Sequence, residues 1–352
     1  MIQTQTLNHT FAPDDVTVQL RPGTPRLVGV AEKEALLRGG ESYGTLLTPE
    51  GPPSAVQLTA YREALIRNGF RVAGLIASLG AHLLEHVPGA VLVSLARAGT
   101  PVGCALRRFA RQRGADLPHH TLSIIRGEGI DREALRRVRA AHPGRPLVFV
   151  DGWTGKGSIA QTLAGSLPDD VPVRLAVLSD PAGVADFAAT HDDLLLPHAA
   201  LNATVSGLLS RTFTDGRAGL HAARTEEQLR GDDVSGAYLD ALDAFVARIA
   251  EPAPLSPGPR PVRPYDAVLA LAADLGVRDP HLVKPGVGEA TRVFLRRQPA
   301  GLLLRDAGHP DTAHLRELAG AAHIPVTVHA GLPYLAAALI SPGAGARKGR
   351  EA

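Results

Sequence analysis

The chain has 352 residues, 45% of them hydrophobic, which suffices for two domains that each bury a core. Its formal net charge of +2 argues against gross non-specific nucleic-acid binding, and its single cysteine, Cys104, excludes an internal disulfide and a multi-cysteine metal site. The sequence opens without a signal-peptide pattern and has no apolar run of roughly 18 residues, so we expect a cytoplasmic protein without membrane contact.

Apolar runs and helical patterns alternate along the first 250 residues. Residues 55–86 are predicted to form one or two helices. Further helices are predicted over 101–113, 132–141, 158–167 and 186–190. Asp131 has the position and side chain of an N-cap for the helix over 132–141. Buried strands are predicted over 90–95, 121–126, 147–150, 173–179 and 194–197. Such alternation predicts an α/β fold with a parallel sheet, in which ligands bind beyond the carboxyl ends of the strands.

A proline-rich segment divides the chain in two. Residues 251–264 read EPAPLSPGPRPVRP and hold six prolines, which cannot continue a helix or a central strand. We therefore predict a domain over 1–250, a stiff linker over 251–264, a small domain over 265–340 and a disordered tail over 341–352. The small domain is expected to follow the order helix, loop, helix, strand, helix, strand.

The segment DGWTGKGS carries the strongest chemical signal of the first domain. A nucleotide P-loop requires Ser or Thr after its lysine, but here Gly157 follows Lys156, and the spacing also departs from a dinucleotide fingerprint. A phosphoribosyl-diphosphate loop fits better, because its amides and the following helix start hold a 5′-phosphate while an acid faces the ribose. A plain strand-to-helix turn is the alternative. The predicted phosphate and ribose ligands are Asp151, Gly152, Thr154, Gly155, Lys156, Gly157 and Ser158.

Five segments together resemble one family. VFVDGWTGKGSI is similar to the signature of a phosphoribosyltransferase-like family from bacterial tellurite-resistance and stress-response (Ter) operons, which is also labelled cysteine protease StiP. The segments 42–50, 91–103, 119–131 and 201–212 match the same pattern in order. Ordinary type I phosphoribosyltransferases have two adjacent acids before the loop, whereas here Gly152 follows Asp151.

The resemblance implies a type I phosphoribosyltransferase-like enzyme. It would use 5-phosphoribosyl 1-diphosphate and release pyrophosphate, with a nucleobase or an RNA-linked group as the acceptor. Asp151, Arg126 and Arg97 would be catalytic. Mg²⁺ would be the cofactor, held mainly by substrate oxygens rather than by protein ligands. A homodimer is expected, and the implied pyrophosphate loop consists of Ala96, Arg97, Ala98, Gly99 and Thr100.

The small domain resembles the Pelota-type RNA-binding domain, an α/β/α sandwich. The resemblance implies that a glycine-rich helix start contacts an RNA backbone. From 265 to 340 the chain has seven Lys or Arg and seven Asp or Glu, so such a surface would have to be local. A domain that binds protein or completes an oligomer is the alternative. The implied RNA contacts are Lys284, Gly286, Gly288, Arg292 and Arg296.

Two other functions remain open at the level of sequence. The first is a non-catalytic sensor that binds a nucleotide or phosphoribosyl ligand and signals through the RNA-binding module. The second is a cysteine protease or hydrolase that uses Cys104. A thiol nucleophile needs a lowered pKa and a base within reach, and Cys104 lies in a predicted helix that packs on the sheet, which favours a buried thiol.

Overall fold

The computed structural model describes residues 7–42 and 44–340. The tail predicted as disordered, 341–352, lies outside the described residues. Within the described ranges, no helix combines the length and apolar character that a membrane crossing requires.

A parallel sheet forms the centre of the first domain. Its six strands lie in the order β1-β6-β5-β8-β9-β10, and a short strand, β7, pairs antiparallel with β6. The bounds are β1 Thr17–Gln19, β5 Val91–Ala96, β6 His119–Ile125, β7 Gly129–Ile130, β8 Leu147–Trp153, β9 Leu175–Ser179 and β10 Phe187–Thr190. Outside this sheet lie four two-residue strands, namely β2 Arg21–Pro22, β3 Arg26–Leu27, β4 Leu46–Leu47 and β11 Ala222–Ala223. The predicted parallel α/β fold is therefore confirmed.

Helices cover both faces of this sheet. In β8, Val148 and Val150 join one hydrophobic cluster with α2, α3 and α6, whereas Leu147 and Phe149 join a second cluster with α4 and α5. This division follows from the two-residue period of a strand, because alternate side chains point to opposite faces. The helices of the domain are α1 Val30–Arg38, α2 Ala55–His86, α3 Gly99–Gln112, α4 Arg132–Ala141, α5 Ser158–Ser166 and α6 Ser235–Val246.

Two local predictions about the sheet edge are wrong. The segment predicted as a helix over 186–190 forms strand β10, which pairs in parallel with β9. The segment predicted as a strand over 194–197 lies outside the named strands, and Pro197–Ala200 forms a 3-10 turn. Because β9 offers unpaired backbone groups at its outer edge, the first segment gains hydrogen bonds as a strand that a single helical turn cannot supply.

The small domain is an α/β unit built on a four-stranded sheet in the order β12-β15-β13-β14. Strand β13 pairs in parallel with β14, whereas β15 pairs antiparallel with both β12 and β13. The predicted order of elements omitted two strands, β12 between the first two helices and β15 at the end. The elements are α7 Pro264–Asp274, β12 Val283–Pro285, α8 Val287–Arg296, β13 Pro299–Leu304, α9 Ala313–Ala321, β14 Val326–Val328 and β15 Ala336–Ile340.

The two domains are joined by buried polar contacts as well as by apolar packing. The carboxylate of Asp311, in the small domain, accepts hydrogen bonds from the Asn68 side chain and from the Leu195 amide, and it pairs with Arg67 at 2.8 Å. In the opposite direction, Asp193 of the first domain accepts from the amide of Val287 at the start of α8. Since buried carboxylates require such partners, these contacts fix how the domains pack.

Candidate functional site

The main candidate site is a cavity of about 590 Å³ between the carboxyl edge of the sheet and the small domain. The first domain contributes the end of β8, the loop that follows it and the first turn of α5. The small domain contributes β12 and one side of α8. The cavity therefore lies where an open parallel sheet places its ligands, and a second domain closes it.

The loop between β8 and α5 ends in an uncapped helix start. Gly157 is the N-cap of α5 at φ 81°, a left-handed conformation that favours glycine, and no side chain caps the helix there. Ser158 and Ile159, in the first turn, line the cavity. The amides of a first helical turn lack partners within the helix and carry the positive end of its dipole, so this start can hold an anion. The predicted role of these amides in holding a phosphate stays a prediction.

Cationic side chains outnumber carboxylates in the cavity wall. Asp151 and Glu289 are the carboxylate residues among the lining residues. The lining also holds six cations, and four of them come from the small domain. Such a wall favours an anionic ligand, because converging charges in a concave, partly desolvated site reinforce one another. The six cations are Arg126, Lys156, Lys284, Arg292, Arg296 and Arg297.

Lys156 reaches from the loop to the small domain. Its Nζ donates to the carbonyl of Pro280 at 2.8 Å and lies 5.3 Å from the centre of the Tyr265 ring. Burial, together with the nearby Lys284 and Arg126, lowers the pKa of Lys156 to about 8. The ammonium group is therefore charged at neutral pH and loses its proton in mildly alkaline solution.

Asp151 ends the apolar part of β8 and lines the same cavity. Its Oδ1 accepts from the Gly152 amide at 2.8 Å. Burial raises the pKa of Asp151 to about 7, while Arg292 acts in the opposite direction. The carboxyl is thus half protonated near neutral pH, and its neutral form adds no charge that would repel an anion.

The predicted pyrophosphate loop, Ala96 to Thr100, lies outside the cavity lining. Arg97 is 7% exposed and forms two hydrogen bonds with the carboxylate of Glu50, at 2.5 and 3.0 Å, and a third with the carbonyl of Leu209 at 2.7 Å. The peptide between Ala96 and Arg97 is cis. The guanidinium is therefore occupied by protein partners. Arg126, in contrast, lines the cavity and contacts Nδ1 of His281 at 2.8 Å.

The residues predicted to contact RNA face the first domain. Lys284, Arg292 and Arg296 line the cavity, and Gly286 is the N-cap of α8 at φ 95°. A Cβ added at Gly288 would lie 2.6 Å from the Trp153 ring, so glycine allows α8 to approach the loop closely. The glycine-rich helix start therefore packs on the first domain.

Trp153 is a site residue that the sequence analysis did not single out. The side chain is 8% exposed and lines the cavity, and the guanidinium carbon of Arg292 lies 4.4 Å from its ring centre. Its Nε1 is buried without a hydrogen-bond partner in the described part of the chain. The available signal was composition, because this tryptophan is the only one in the sequence and lies inside the glycine-rich motif.

Cys104 lies away from the cavity, inside α3. It is fully buried, and burial together with nearby Asp15 raises the pKa of its thiol well above the usual range. His119 contacts the Oγ of Ser94 at 2.6 Å and the carbonyl of Asp15 at 2.8 Å, and burial lowers its pKa to about 3. An active thiol needs a lowered pKa and access to its substrate, and this packing supplies neither.

No group of three or more His, Cys, Asp or Glu residues within 7–42 and 44–340 is arranged to hold a metal ion. In the cavity wall, Asp151 and Glu289 are the carboxylates, and the first is half protonated near neutral pH. These residues do not form a protein-borne Mg²⁺ site. The predicted Mg²⁺ would have to be coordinated by oxygens of the bound small molecule.

Comparison with known proteins assigns both parts of the chain. The family model "Tellurite-like stress resistance cysteine protease StiP" matches residues 9–243, and the model "PELOTA RNA binding domain" matches residues 262–342. A protein of Acinetobacter baylyi named "Cysteine protease StiP" is 34% identical over 366 residues, which cover 97% of this chain and 96% of that protein.

A solved structure shows a weaker likeness. The hypoxanthine-guanine phosphoribosyltransferase ("HGPRT-ase") of Leishmania tarentolae, in complex with GMP, matches with a TM-score of 0.23 and 14% identity over 37% of this chain and 71% of that one. A likeness at this level carries no argument about activity. The prediction that the chain is a phosphoribosyltransferase is wrong, because both the family model and the curated relative bear the name of a cysteine protease.

Proposed function

The chain belongs to the StiP family of tellurite-like stress-resistance proteins, and on that premise we propose that it binds a phosphorylated, nucleotide-class ligand between its two domains. The family resemblance noted in the sequence, including the C-terminal Pelota-type domain, is confirmed. One observation carries the proposal. Six cationic side chains and the uncapped start of α5 converge on one cavity that two carboxylates line.

Phosphate groups suit this wall better than carboxylates or neutral sugars do. A phosphate offers three acceptor oxygens and about two negative charges, which can be shared between a helix start and several cationic side chains. The Arg292 side chain is 27% exposed and supplies a flat guanidinium surface on which a base could stack, as guanidinium groups do in nucleotide sites. The buried Trp153 ring supports that guanidinium from behind. The cavity volume of about 590 Å³ is in the range of small-ligand sites.

Titration calorimetry on the full chain tests this proposal. Nucleoside 5′-monophosphates, nucleoside 5′-diphosphates and 5-phosphoribosyl 1-diphosphate serve as probes, each with Mg²⁺ and with EDTA. At least one phosphorylated probe should bind, and its unphosphorylated counterpart should bind at least tenfold more weakly. If binding requires Mg²⁺, that result would support the expectation that the ion is held by oxygens of the ligand. If no phosphorylated probe gives heat or thermal stabilisation, the proposal fails.

Single substitutions test whether the ligand binds in this cavity or on another basic surface. Lys156→Ala and Arg292→Ala should each weaken binding by roughly tenfold or more, in line with the loss of one charge-assisted hydrogen bond. Arg136→Ala is the matched control, because Arg136 is an exposed arginine of α4 outside the cavity and pairs with Glu133. Equal losses in all three variants would show that the ligand binds through general charge.

Peptide-bond hydrolysis is the second candidate, and the names of the family model and the curated relative favour it. Cys104 is the only cysteine, so a cysteine protease activity of this chain requires its thiol. The described packing buries that thiol and raises its pKa. A hydrolase would therefore need α3 to separate from the sheet before reaction. Cys104→Ser should abolish such an activity and leave phosphate binding unchanged.

A further inference from the structure

The loop between β8 and α5 rests on a second loop outside the cavity lining. Residues 180–186 connect β9 to β10, and they begin with Asp180. Its Oδ1 accepts a hydrogen bond from the hydroxyl of Thr154, a cavity residue, at 2.6 Å. We propose that Asp180 is a positioning residue that fixes the loop between β8 and α5 in the conformation that binds a phosphate group. This inference rests on the proposed function and adds a residue to that site.

Asp180 is fully buried and ties the two loops together. Besides the Thr154 hydroxyl, the amides of Val184 and Ala185 donate to its carboxylate, at 3.1 and 3.0 Å. The amide of Ala182 in turn donates to Oγ1 of Thr154 at 3.2 Å. Because a buried carboxylate is costly unless it is hydrogen-bonded, these contacts favour one arrangement of the two loops.

The Thr154 hydroxyl is occupied by this contact. A hydroxyl group has one proton, and here that proton is donated to Asp180. It therefore cannot also be donated to a phosphate oxygen, and the amide of Thr154 already donates to the Ser179 carbonyl at 2.9 Å. The proposal thus gives Thr154 a supporting role instead of the ligand role predicted from the sequence. The phosphate would be held by the amides at the start of α5 and by Lys156.

The far end of the same loop touches the second loop as well. A Cβ added at Gly157, the N-cap of α5, would lie 3.1 Å from Cγ1 of Val184. The second loop is held in turn by the proline-rich segment, because Arg260 donates to the carbonyl of Ala185 at 3.0 Å. A shift of the second loop would therefore disturb both ends of the loop that leads into α5. Backbone amides can hold an anion only where the backbone places them, so such a shift should weaken binding.

Charge and position predict opposite effects for Asp180→Asn. The substitution removes a negative charge next to the loop, so charge alone would strengthen the binding of an anion. The amide nitrogen of asparagine cannot accept from a backbone amide, so a hydrogen bond from Val184 or Ala185 is lost. If Asp180 acts by positioning, the variant should bind a phosphorylated ligand about tenfold more weakly.

Titration calorimetry on the full chain tests the proposal with nucleoside 5′-monophosphates, nucleoside 5′-diphosphates and 5-phosphoribosyl 1-diphosphate. Thr154→Val, which removes the hydroxyl, should weaken binding by about tenfold, whereas Thr154→Ser should stay within about threefold of the unmodified chain. Thr225→Val is the matched control, because that hydroxyl donates to the Asn8 carbonyl at 2.6 Å away from the cavity. Thermal unfolding without ligand identifies the temperature range in which each variant is folded.

The other outcomes overturn the proposal in distinguishable ways. If the unmodified chain binds a probe and both Thr154→Val and Asp180→Asn bind it equally well, the positioning role fails while the proposed function stands. Stronger binding by Asp180→Asn would show that Asp180 acts through its charge alone. An equal loss in Thr154→Ser, or in the Thr225→Val control, would show that the Thr154 hydroxyl is not the cause. If no phosphorylated probe binds the unmodified chain, the proposed function itself fails.

Discussion

The guanidinium of Arg292 lies over the indole ring of Trp153, with 4.4 Å between the guanidinium carbon and the ring centre. Trp153 ends the β8 strand of the first domain, and Arg292 projects from α8 of the small domain. This cation–π contact joins the end of β8 to the helix that was predicted to contact RNA. It places residues of both domains in the wall of one cavity, so the shape of that wall depends on how the domains pack.

Gly288→Ala should loosen the packing of α8 on the first domain. Its Cβ would lie 2.6 Å from the Trp153 ring, so the ring or the helix must shift, at a cost of about 1–3 kcal/mol in the free energy of unfolding. Gly320→Ala is the control, because no atom lies within 4 Å of its added Cβ. Thermal and denaturant unfolding of both variants provide the measurement. Equal stability of the two variants would contradict the close approach.

Asp311→Ala should strongly destabilise the domain interface. Asp311 is 2% exposed. Its carboxylate pairs with Arg67 and accepts hydrogen bonds from the Asn68 side chain and the Leu195 amide. Its removal leaves buried donors without partners, which costs about 2–5 kcal/mol. Hydrogen exchange should show the loss at the interface first. Asp306→Ala, at an exposed position of the same domain, should change stability by less than about 0.5 kcal/mol.

Anion binding in the cavity should weaken as the pH rises from 6 to 9. The pKa of Asp151 is about 7 and that of Lys156 about 8, so rising pH first adds a negative charge and then removes a positive one. Both changes oppose an anion. One charge at about 10 Å in an effective dielectric of about 20 changes affinity roughly tenfold. Sulfate is a suitable probe because it does not titrate in this range.

Asp151→Asn separates the two titrations. Because the amide is neutral at every pH, the variant should lose the step near pH 7 and keep the step near pH 8 that belongs to Lys156. Sulfate affinity above pH 7 should then exceed that of the unmodified chain. A pH profile that the substitution leaves unchanged would show that Asp151 does not face the bound anion.

Cys104 should react slowly with a thiol reagent such as Ellman's reagent while the chain is folded. The thiol is fully buried, so the reagent has little access to it. Because its pKa is raised, only a small fraction of the thiol is in the reactive thiolate form. We expect a rate at least about a hundredfold below that of the chain in denaturant. Rapid reaction of the folded chain would contradict the described packing and would favour the hydrolase. Cys104→Ser supplies the baseline.

The sequence alone determined the order of strands and helices from residue 55 to residue 179, apart from the two-residue strand β7. Apolar runs such as 147–150 identify strands because a strand covered on both faces needs apolar side chains on both. Asp131 was predicted as an N-cap, and its side chain accepts from the Ala134 amide. These features depend on residues close together in the chain, so local patterns suffice to predict them.

Only the tertiary structure decided which side chains meet. The edge strand β10 depends on the free edge of β9, and the pairing of Arg97 with Glu50 depends on how the loops fold over the sheet. The contact of Trp153 with Arg292, which builds the cavity wall from two domains, likewise leaves no local pattern. Helix and strand periods encode the face that a residue presents, whereas the partner on that face is set by packing between distant segments.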